Sequence, residues 1–489
     1  MQDLVTIVPI IFLITASFLP LLIKVFNGNQ EPSPFITLMY NFVGLIAAAF
    51  WTAALWGANK TTFNSALIFD GITIWMSFLL YIITSISLML AYDNVATRGR
   101  QFAELCFLMI GSVTGMLILL MSNDLIVTFI GIEMMSLCLY ILVAMSKEAV
   151  LSKEASFKYF VLGSFASAIF LYGIALVYGT TETTYLPEIS ARVGDLIHTN
   201  PVFLIGLGLV VLGFAFKVSL FPLHAWTPDV YQGAPTSITA FMSTAVKAAS
   251  FVAFLRLFNS HGFAQSPSLL TAMSWMAVLT MTVGNVGAIM QGNFKRMLAY
   301  SSVAHSGYAL VGLIAAGFGT NYAGGASGLL FYLFTYSFMT IGCFAAISLF
   351  EKNPNTSVAV TDLKGLASRN PWLAFFLSIL LLSLAGVPPT LGFFSKFYIF
   401  SAAIEQDLYW LALWGVINSV ISVYYYLRPI VMMYMSDQAA AAEEVVIFQD
   451  AHASMTRIAI AFAAFMILVV GLFSSPVIAA VQRSVQNMF

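Results

Sequence analysis

Charge is what this 489-residue chain has least of. Asp, Glu, Lys and Arg make up 8% of it, against about 25% in soluble domains. Hydrophobic residues make up 60%, more than a soluble core can bury, so lipid must be the solvent. The formal net charge of -1 argues against nucleic acid as a partner. The three cysteines, Cys106, Cys138 and Cys343, fall in apolar runs and form no CxxC pair, so neither an iron–sulfur cluster nor a disulfide framework is supported. The five histidines lack HExxH spacing, and no metal site is expected. The N-terminus, MQDLVTIVPIIFLITASFLPLLIKV, has no basic n-region and no clear cleavage site. Its apolar run is too long for a signal peptide, and it reads as a first transmembrane helix.

What is present is long apolar runs. A membrane helix needs about 20 such residues. Turn chemistry divides the chain into fourteen runs, near 4–25, 35–57, 72–92, 103–121, 124–145, 157–178, 202–222, 236–258, 268–290, 298–316, 326–350, 371–404, 408–434 and 455–481. The fold class expected is an all-α integral membrane protein. The run 371–404 is too long for one straight span, and Pro388 and Pro389 divide it. Backbone freed at such a break must be buried in protein or wetted. A second lysine-bearing, proline-disturbed run, 202–222, lies five helices earlier. An odd spacing inverts the second unit, and inverted repeats centred on broken helices recur in transporters. The layout gives a three-helix segment over 1–102, a five-helix repeat over 103–258, an inverted repeat over 259–434, and a loop with a last helix over 435–489.

Fourteen spans put both ends on one side. Loops on the other side hold Lys24, Arg98, Arg100, Lys147, Lys153, Lys295, Arg296, Lys352, Lys364, Arg369 and Arg457. The terminal side holds mainly Lys60, Arg192 and Arg483, with Arg256 near a helix end. The positive-inside rule then places both termini outside the cytoplasm.

Few ionisable residues remain inside the runs. Glu133 lies midway along the fifth, Lys217 and Lys247 in the seventh and eighth, His305 one to two turns into the tenth, and Lys396 in the divided twelfth. Glu104 and Lys158 sit near cytoplasmic helix ends, and Arg428 lies well inside the thirteenth. A charged side chain at mid-bilayer costs at least about 2.5–3.5 kcal/mol on insertion scales, so these residues point to a polar path. A buried lysine shifts its proton affinity readily, whereas arginine holds its proton. Glu133 beside a lysine would form a pair whose separation releases a proton. Structural readings stand beside these. Lysines can snorkel, Glu133 can simply neutralise one, and His305 can be satisfied by Ser301, Ser302 or Tyr308. His224 reads better as a loop residue, and Arg428 as an anchor. The aromatic and methionine content reads as packing and lipid-facing material. The depths leave a gap: a simple hairpin at 222–235 would set Lys217 and Lys247 about 10 Å apart in depth. Either TPDVYQGAP dips into the membrane or water bridges the two.

FKVSLFPLHAWTPDVYQGAP followed by Lys247, NFKRMLAYSSVAHSGY, and LSLAGVPPTLGFFSKFYIF together resemble the antiporter-like membrane subunits of respiratory complex I, over essentially the whole chain. The resemblance implies two inverted five-helix repeats with broken helices. It also implies a proton-translocating subunit in the bacterial cytoplasmic membrane, driven by quinone chemistry elsewhere. No redox cofactor is implied in this chain; NADH, FMN, iron–sulfur clusters and quinone would belong to partner subunits. Partners would be other complex I subunits, including neighbouring antiporter-like ones, and membrane lipid. Carried onto this sequence, Glu133 and Lys217 match the coupled pair, Lys247 the central relay, His305 the bridge and Lys396 the terminal residue. Glu104 and Lys158 match positions linked to coupling. The alternatives are a subunit of a related cation/proton antiporter or membrane-bound hydrogenase, and a non-transporting structural subunit.

Overall fold

The structure is a computed structural model, and it describes residues 2–94, 101–146, 149–258, 263, 266–318, 322–351, 357–435 and 453–486. Arg98, Arg100, Lys147 and Lys352, counted above among the loop charges, lie outside the described residues.

The first spans are α1 (Gln2–Phe26), α2 (Pro34–Ala54), α3 (Gly71–Asp93), α4 (Phe102–Met121), α5 (Leu125–Val143) and α6 (Val150–Thr181). An amphipathic helix α7 (Leu186–Thr199) leads to α8 (Pro201–Lys217) and the short α9 (Trp226–Gly233). The next span joins α10 (Thr236–Phe241), a π-helical turn (Met242–Val246) and α11 (Lys247–Leu257). Then come α12 (Pro267–Ile289), α13 (Phe294–Gly317), α14 (Tyr322–Ser348), the one-turn α15 (Leu366–Arg369), α16 (Pro371–Ala385) and α17 (Leu391–Glu405). The chain closes with α18 (Tyr409–Met435), α19 (Ser454–Leu472) and α20 (Ser474–Gln486).

The scarce polar residues mark where these helices start. Asp70, Asp124, Asn200, Ser266, Asn293 and Asn370 cap α3, α5, α8, α12, α13 and α16 through their side chains. Each satisfies backbone N–H groups that lipid could not. Proline follows in the first turn of α2, α8, α12 and α16, where no intrahelical donor is lost.

Among the described residues, twelve helices are long and apolar enough to cross a membrane. The two other expected spans, 202–222 and 371–404, are broken. The second divides as its two prolines suggest, into α16 and α17. The first requires a correction: α8 ends at Lys217, not near Pro222, and α9 lies beyond an irregular stretch, 218–225. The helix α7 bends away from α8 by 119° and carries Glu188, Arg192 and Asp195 outward. The partner that completes the seventh crossing is therefore α9, which packs between α6 and the start of α13.

Two further boundaries move. The last span stops at Leu472, because Ser474, Ser475 and Pro476 open the separate helix α20. Helix α13 begins at Phe294, not 298, because Asn293 accepts the Arg296 N–H at 2.9 Å; this puts His305 three turns in. Arg428 lies in the last two turns of α18, half-buried, donating to the Gln291 carbonyl at 3.1 Å. Among the described residues there is one small hairpin, β1 (Lys60–Thr62) with β2 (Leu67–Phe69), antiparallel.

The turns gather at two ends. The hairpin, the α4–α5 turn and the α6–α7 turn meet at one, where Leu67 bridges Ser122 and Asp124 bridges Tyr185. At the other end Asn293 bridges Ala359. Helix α14 and the α10–α11 span are buried on all sides, and α13 nearly so. A helix apolar all round belongs in the centre of a bundle, and these three carry Lys247 and His305. At the first end Arg256 is no loop charge. It is buried and bidentate on Asp70, at 2.8 and 2.9 Å, and it also donates to Thr73 and to the Leu120 carbonyl. This ties α3, α4 and α11 together.

Candidate functional site: a row of buried lysines

The two breaks share one construction. At the end of α8, Ser219 adopts φ 62°, its N–H donates to Phe216 O at 3.2 Å, and Leu220 N–H donates to Ala215 O at 2.8 Å. At the end of α16, Gly386 has φ 87°, its N–H donates to Ser383 O at 3.0 Å, and Val387 N–H donates to Leu382 O at 3.1 Å. This double bond around one left-handed residue is a Schellman end. It satisfies some of the last carbonyls and leaves others as the negative pole of the half-helix.

Each break holds a lysine at that pole. Lys217 is the last residue of α8. Lys396 stands in α17 but reaches back, its Nζ donating to Leu384 O at 3.0 Å, Ala385 O at 3.2 Å and Ser419 Oγ at 2.9 Å. A Cβ on Gly386 would come within 3.2 Å of Lys396 Cδ and 3.3 Å of its Nζ. Gly386→Ala therefore meets both a left-handed backbone, a cost of about 1–2 kcal/mol, and the ammonium itself. It is expected to move the ammonium off the Leu384 and Ala385 carbonyls and to lower the heat stability of the solubilised protein, followed by thermal unfolding. An unchanged unfolding temperature would show that the placing of Lys396 is not tight.

Lys217, Lys247, His305 and Lys396 are all buried, with 3%, 2%, 2% and 5% of their surface exposed. Lys217 Nζ donates to Ser136 Oγ at 2.7 Å. Glu133, one turn earlier on α5, instead accepts from Ser167 of α6. The expected pair is thus not in direct contact, although Glu133 lies within electrostatic reach of Lys217. Lys247 opens α11 just after the π-helical turn. Its Nζ donates to Ser302 O at 2.5 Å, Ser302 Oγ at 2.6 Å and Ser306 Oγ at 2.8 Å.

His305 is held by other helices, not by its own neighbours in sequence. Its Nδ1 is 2.6 Å from the Tyr332 hydroxyl of α14, and its Nε2 3.0 Å from the Tyr426 hydroxyl of α18. Tyr426 in turn bonds Ser301. Aromatic faces link these groups. Lys247 Nζ is 5.6 Å from the Tyr336 ring, whose centroid is 5.1 Å from that of His305. The Tyr308 ring is 5.6 Å from His305, and Lys396 Nζ is 5.1 Å from Tyr308. One face of α13, with Ser301, Ser302, His305, Ser306 and Tyr308, thus runs from Lys247 to Lys396.

The depth gap between Lys217 and Lys247 closes through α9. Its eight residues rise about 12 Å within the bundle, so TPDVYQGAP does enter the protein. Trp226 Nε1 donates to Phe216 O at 3.1 Å, beside Lys217, and Tyr231 O accepts from Thr239 Oγ1 at 3.0 Å, on the span that carries Lys247. Near its middle, Asp229 accepts from Lys158 of α6 at 2.8 Å and Arg296 of α13 at 2.7 Å.

The secondary residues fall away from this row. Lys158 also pairs with Glu154 at 2.6 Å. Glu104 joins Glu31 on Lys24, each at 2.5 Å. His224 lies in the first break, stacked on Phe221 at 5.8 Å. The sequence reading missed Ser136, Ser167, Ser419, Tyr332, Tyr336 and Tyr426. The tyrosines carried a signal, since YYYLRP and FYLFTYSF place hydroxyls in apolar helices, where each needs a partner. The serines carried none. Among the described residues no group of three or more His, Cys, Asp or Glu could hold a metal ion.

A break–lysine–histidine–break layout of this kind defines a transporter-like membrane subunit, and comparison with known proteins agrees. Residues 122–422 match the family described as NADH:quinone oxidoreductase/Mrp antiporter, TM, and the chain belongs to that family. Within it, the chain is similar to NADH-quinone oxidoreductase subunit N. It is 51% identical to that protein of Bdellovibrio bacteriovorus, covering 99% of this chain and 98% of the relative. It is 34% identical to that of Myxococcus xanthus, covering 99% and 98%. Among solved structures it is similar to a chain of respiratory complex I from Thermus thermophilus, at TM-score 0.81 and 30% identity, covering 97% and 99%. A chain of the Mrp complex from Dietzia shares the fold at TM-score 0.79 and 20% identity, covering 99% and 96%.

Proposed function

We propose that this chain is the N-type proton-translocating subunit in the membrane arm of a bacterial NADH:quinone oxidoreductase. The supporting observation is the single row of buried bases, Lys247, His305 and Lys396, joined by hydroxyls and aromatic faces along α13. Protons enter at the end where Lys158, Asp229 and Arg296 lie, reach Lys217, and pass through Lys247 and His305 to Lys396. Glu133 exchanges Ser167 for Lys217 and so sets when that lysine holds its proton. Quinone reduction in partner subunits, which carry NADH, FMN and the iron–sulfur clusters, supplies the drive. The subunit sits in the cytoplasmic membrane beside other antiporter-like subunits, with both termini periplasmic.

Native membranes carrying Lys217→Ala test this. NADH-driven quinone reduction and proton uptake are followed separately, with assembly checked on a native gel. The expected result is an assembled complex with a lowered ratio of protons moved to electrons transferred. An unchanged ratio would make Lys217 structural and favour a scaffold. A sodium-exporting or hydrogenase assembly copurifying in place of a quinone-reducing arm would overturn the assignment to NADH:quinone oxidoreductase.

A further inference from the structure

Helices α12 and α18 lie at the outside of the bundle, with less than half of their apolar stretches buried. Each nevertheless carries one asparagine, Asn285 and Asn418, with 0% of its surface exposed. The two side chains meet. Asn285 Nδ2 donates to Asn418 O at 3.0 Å and to Asn418 Oδ1 at 3.2 Å, and it lies 3.3 Å from the Tyr308 hydroxyl. Its Oδ1 accepts from the Tyr425 hydroxyl at 2.9 Å. Asn418 Nδ2 donates to Trp414 O at 3.0 Å and Thr282 Oγ1 at 3.3 Å. Every polar atom of both amides is therefore engaged, as burial in a membrane bundle requires. Neither amide takes up a proton, so the row of bases does not need them as carriers.

Their placing ties them to the row in another way. Asn285 grips α18 at Asn418 and Tyr425, on one face of that helix. The residue after each is a partner of the row. Ser419 Oγ accepts from Lys396 at 2.9 Å, and the Tyr426 hydroxyl lies 3.0 Å from His305 Nε2. These two contacts stand about 10 Å apart along α18 and must be met together. Such bonds weaken beyond about 3.2 Å, so a slide of α18 by one residue, about 1.5 Å, disturbs both.

Asn285 is itself fixed against the helix that carries His305. A Cβ on the neighbouring Gly284 would come within 2.5 Å of the backbone nitrogen of Ala304, the residue before His305. A Cβ on Gly307 would likewise come within 2.8 Å of the Met281 nitrogen. Small residues let membrane helices approach this closely and hold them there. Helix α12 thus carries the position of His305 across to α18, and the amide pair hands it over. A single buried asparagine fixes register between coiled-coil helices in the same way. We propose that Asn285 and Asn418 are positioning residues, an amide clamp that holds α18 in the register where Ser419 meets Lys396 and Tyr426 meets His305. This inference rests on the proposed relay and adds the element that sets its last step.

The test uses the whole complex in sealed vesicles. Asn285→Leu with Asn418→Leu removes both amides together and keeps their bulk, so no amide is left unpaired. This variant is expected to assemble and oxidise NADH. It is also expected to lose at least half as many protons per electron as a parallel Lys396→Ala complex loses. Heat resistance of the solubilised complex is measured alongside. A merely structural clamp would lower heat resistance and leave the ratio of the assembled complex at the parent value, and that result would overturn the proposal. Asn418→Ser, which keeps a hydroxyl on α18, is expected to lower the ratio in the same direction and decides the matter if the leucine variant does not assemble. A parent ratio in Lys396→Ala would overturn the relay, and the clamp with it. A lowered ratio there beside a parent ratio in the clamp variants would overturn the clamp alone.

Discussion

Complexes carrying Lys247→Ala are expected to assemble but to lose at least about tenfold in the proton flux through this subunit, a barrier increase of about 1.4 kcal/mol or more. In the proposed relay, Lys247 is the point where the row must be continuous. Its ammonium holds three acceptors on Ser302 and Ser306, and alanine leaves these with no donor and no base between α9 and His305. The Tyr336 hydroxyl still reaches Ser302 Oγ at 2.7 Å, so the local fold has a remaining tie. The measurement is the proton-to-electron ratio in vesicles, with assembly checked on a native gel. Full pumping from an assembled Lys247→Ala complex would sink the relay.

The largest effect on stability is expected at Asp70→Ala. Asp70 is fully buried and accepts from Arg256, Thr73 and the first turn of α3. Removing it leaves the Arg256 guanidinium in the bundle without its counter-charge. Breaking a buried pair from one side costs about 3–5 kcal/mol. The loss would appear as low yield and earlier heat release of the subunit from the solubilised complex. Asp70→Leu with Arg256→Met should recover much of it, because both charges then go together. A single Asp70→Ala variant as heat-resistant as the parent would show that the brace carries little.

Most of the helices and the break at Pro388 and Pro389 could be read from the sequence, for a simple reason. Apolar runs bounded by Asp70, Asp124, Asn200, Asn293 and Asn370 can do little else in lipid than form helices that start at those caps. The helix α9 could not be read, because TPDVYQG looks like a polar turn. Only the surrounding α6 and α13, with Trp226 stacked on Tyr159 at 4.8 Å, make it a buried half-helix. The start of α13 was hidden for a related reason: Lys295 and Arg296 look like loop charges, yet they meet Glu351 and Asp229.

Within the site, the ionisable residues stood out because charge in lipid is costly, and the structure brings Lys247, His305 and Lys396 to one face of α13. Their partners did not stand out. Tyr332 comes from the next helix and Tyr426 from one 121 positions away, and the serines resemble any small packing residue. Arg256, read as near a helix end, stands in the last turn of α11, but its partner Asp70 could not be read because it lies 186 positions away.

The way the lysines are bound bears on which ion can travel here. Lys247 and Lys396 each place an ammonium among three oxygen acceptors. These are the kinds of oxygen a sodium ion would seek for its own shell. The seats are taken by tethered cations that cannot leave, and a second positive ion beside them would be repelled. In the proposed relay such a row passes the proton alone, handed between tethered bases by side-chain movements such as that of Glu133. Flux through this subunit should therefore follow the proton gradient and be indifferent to external sodium.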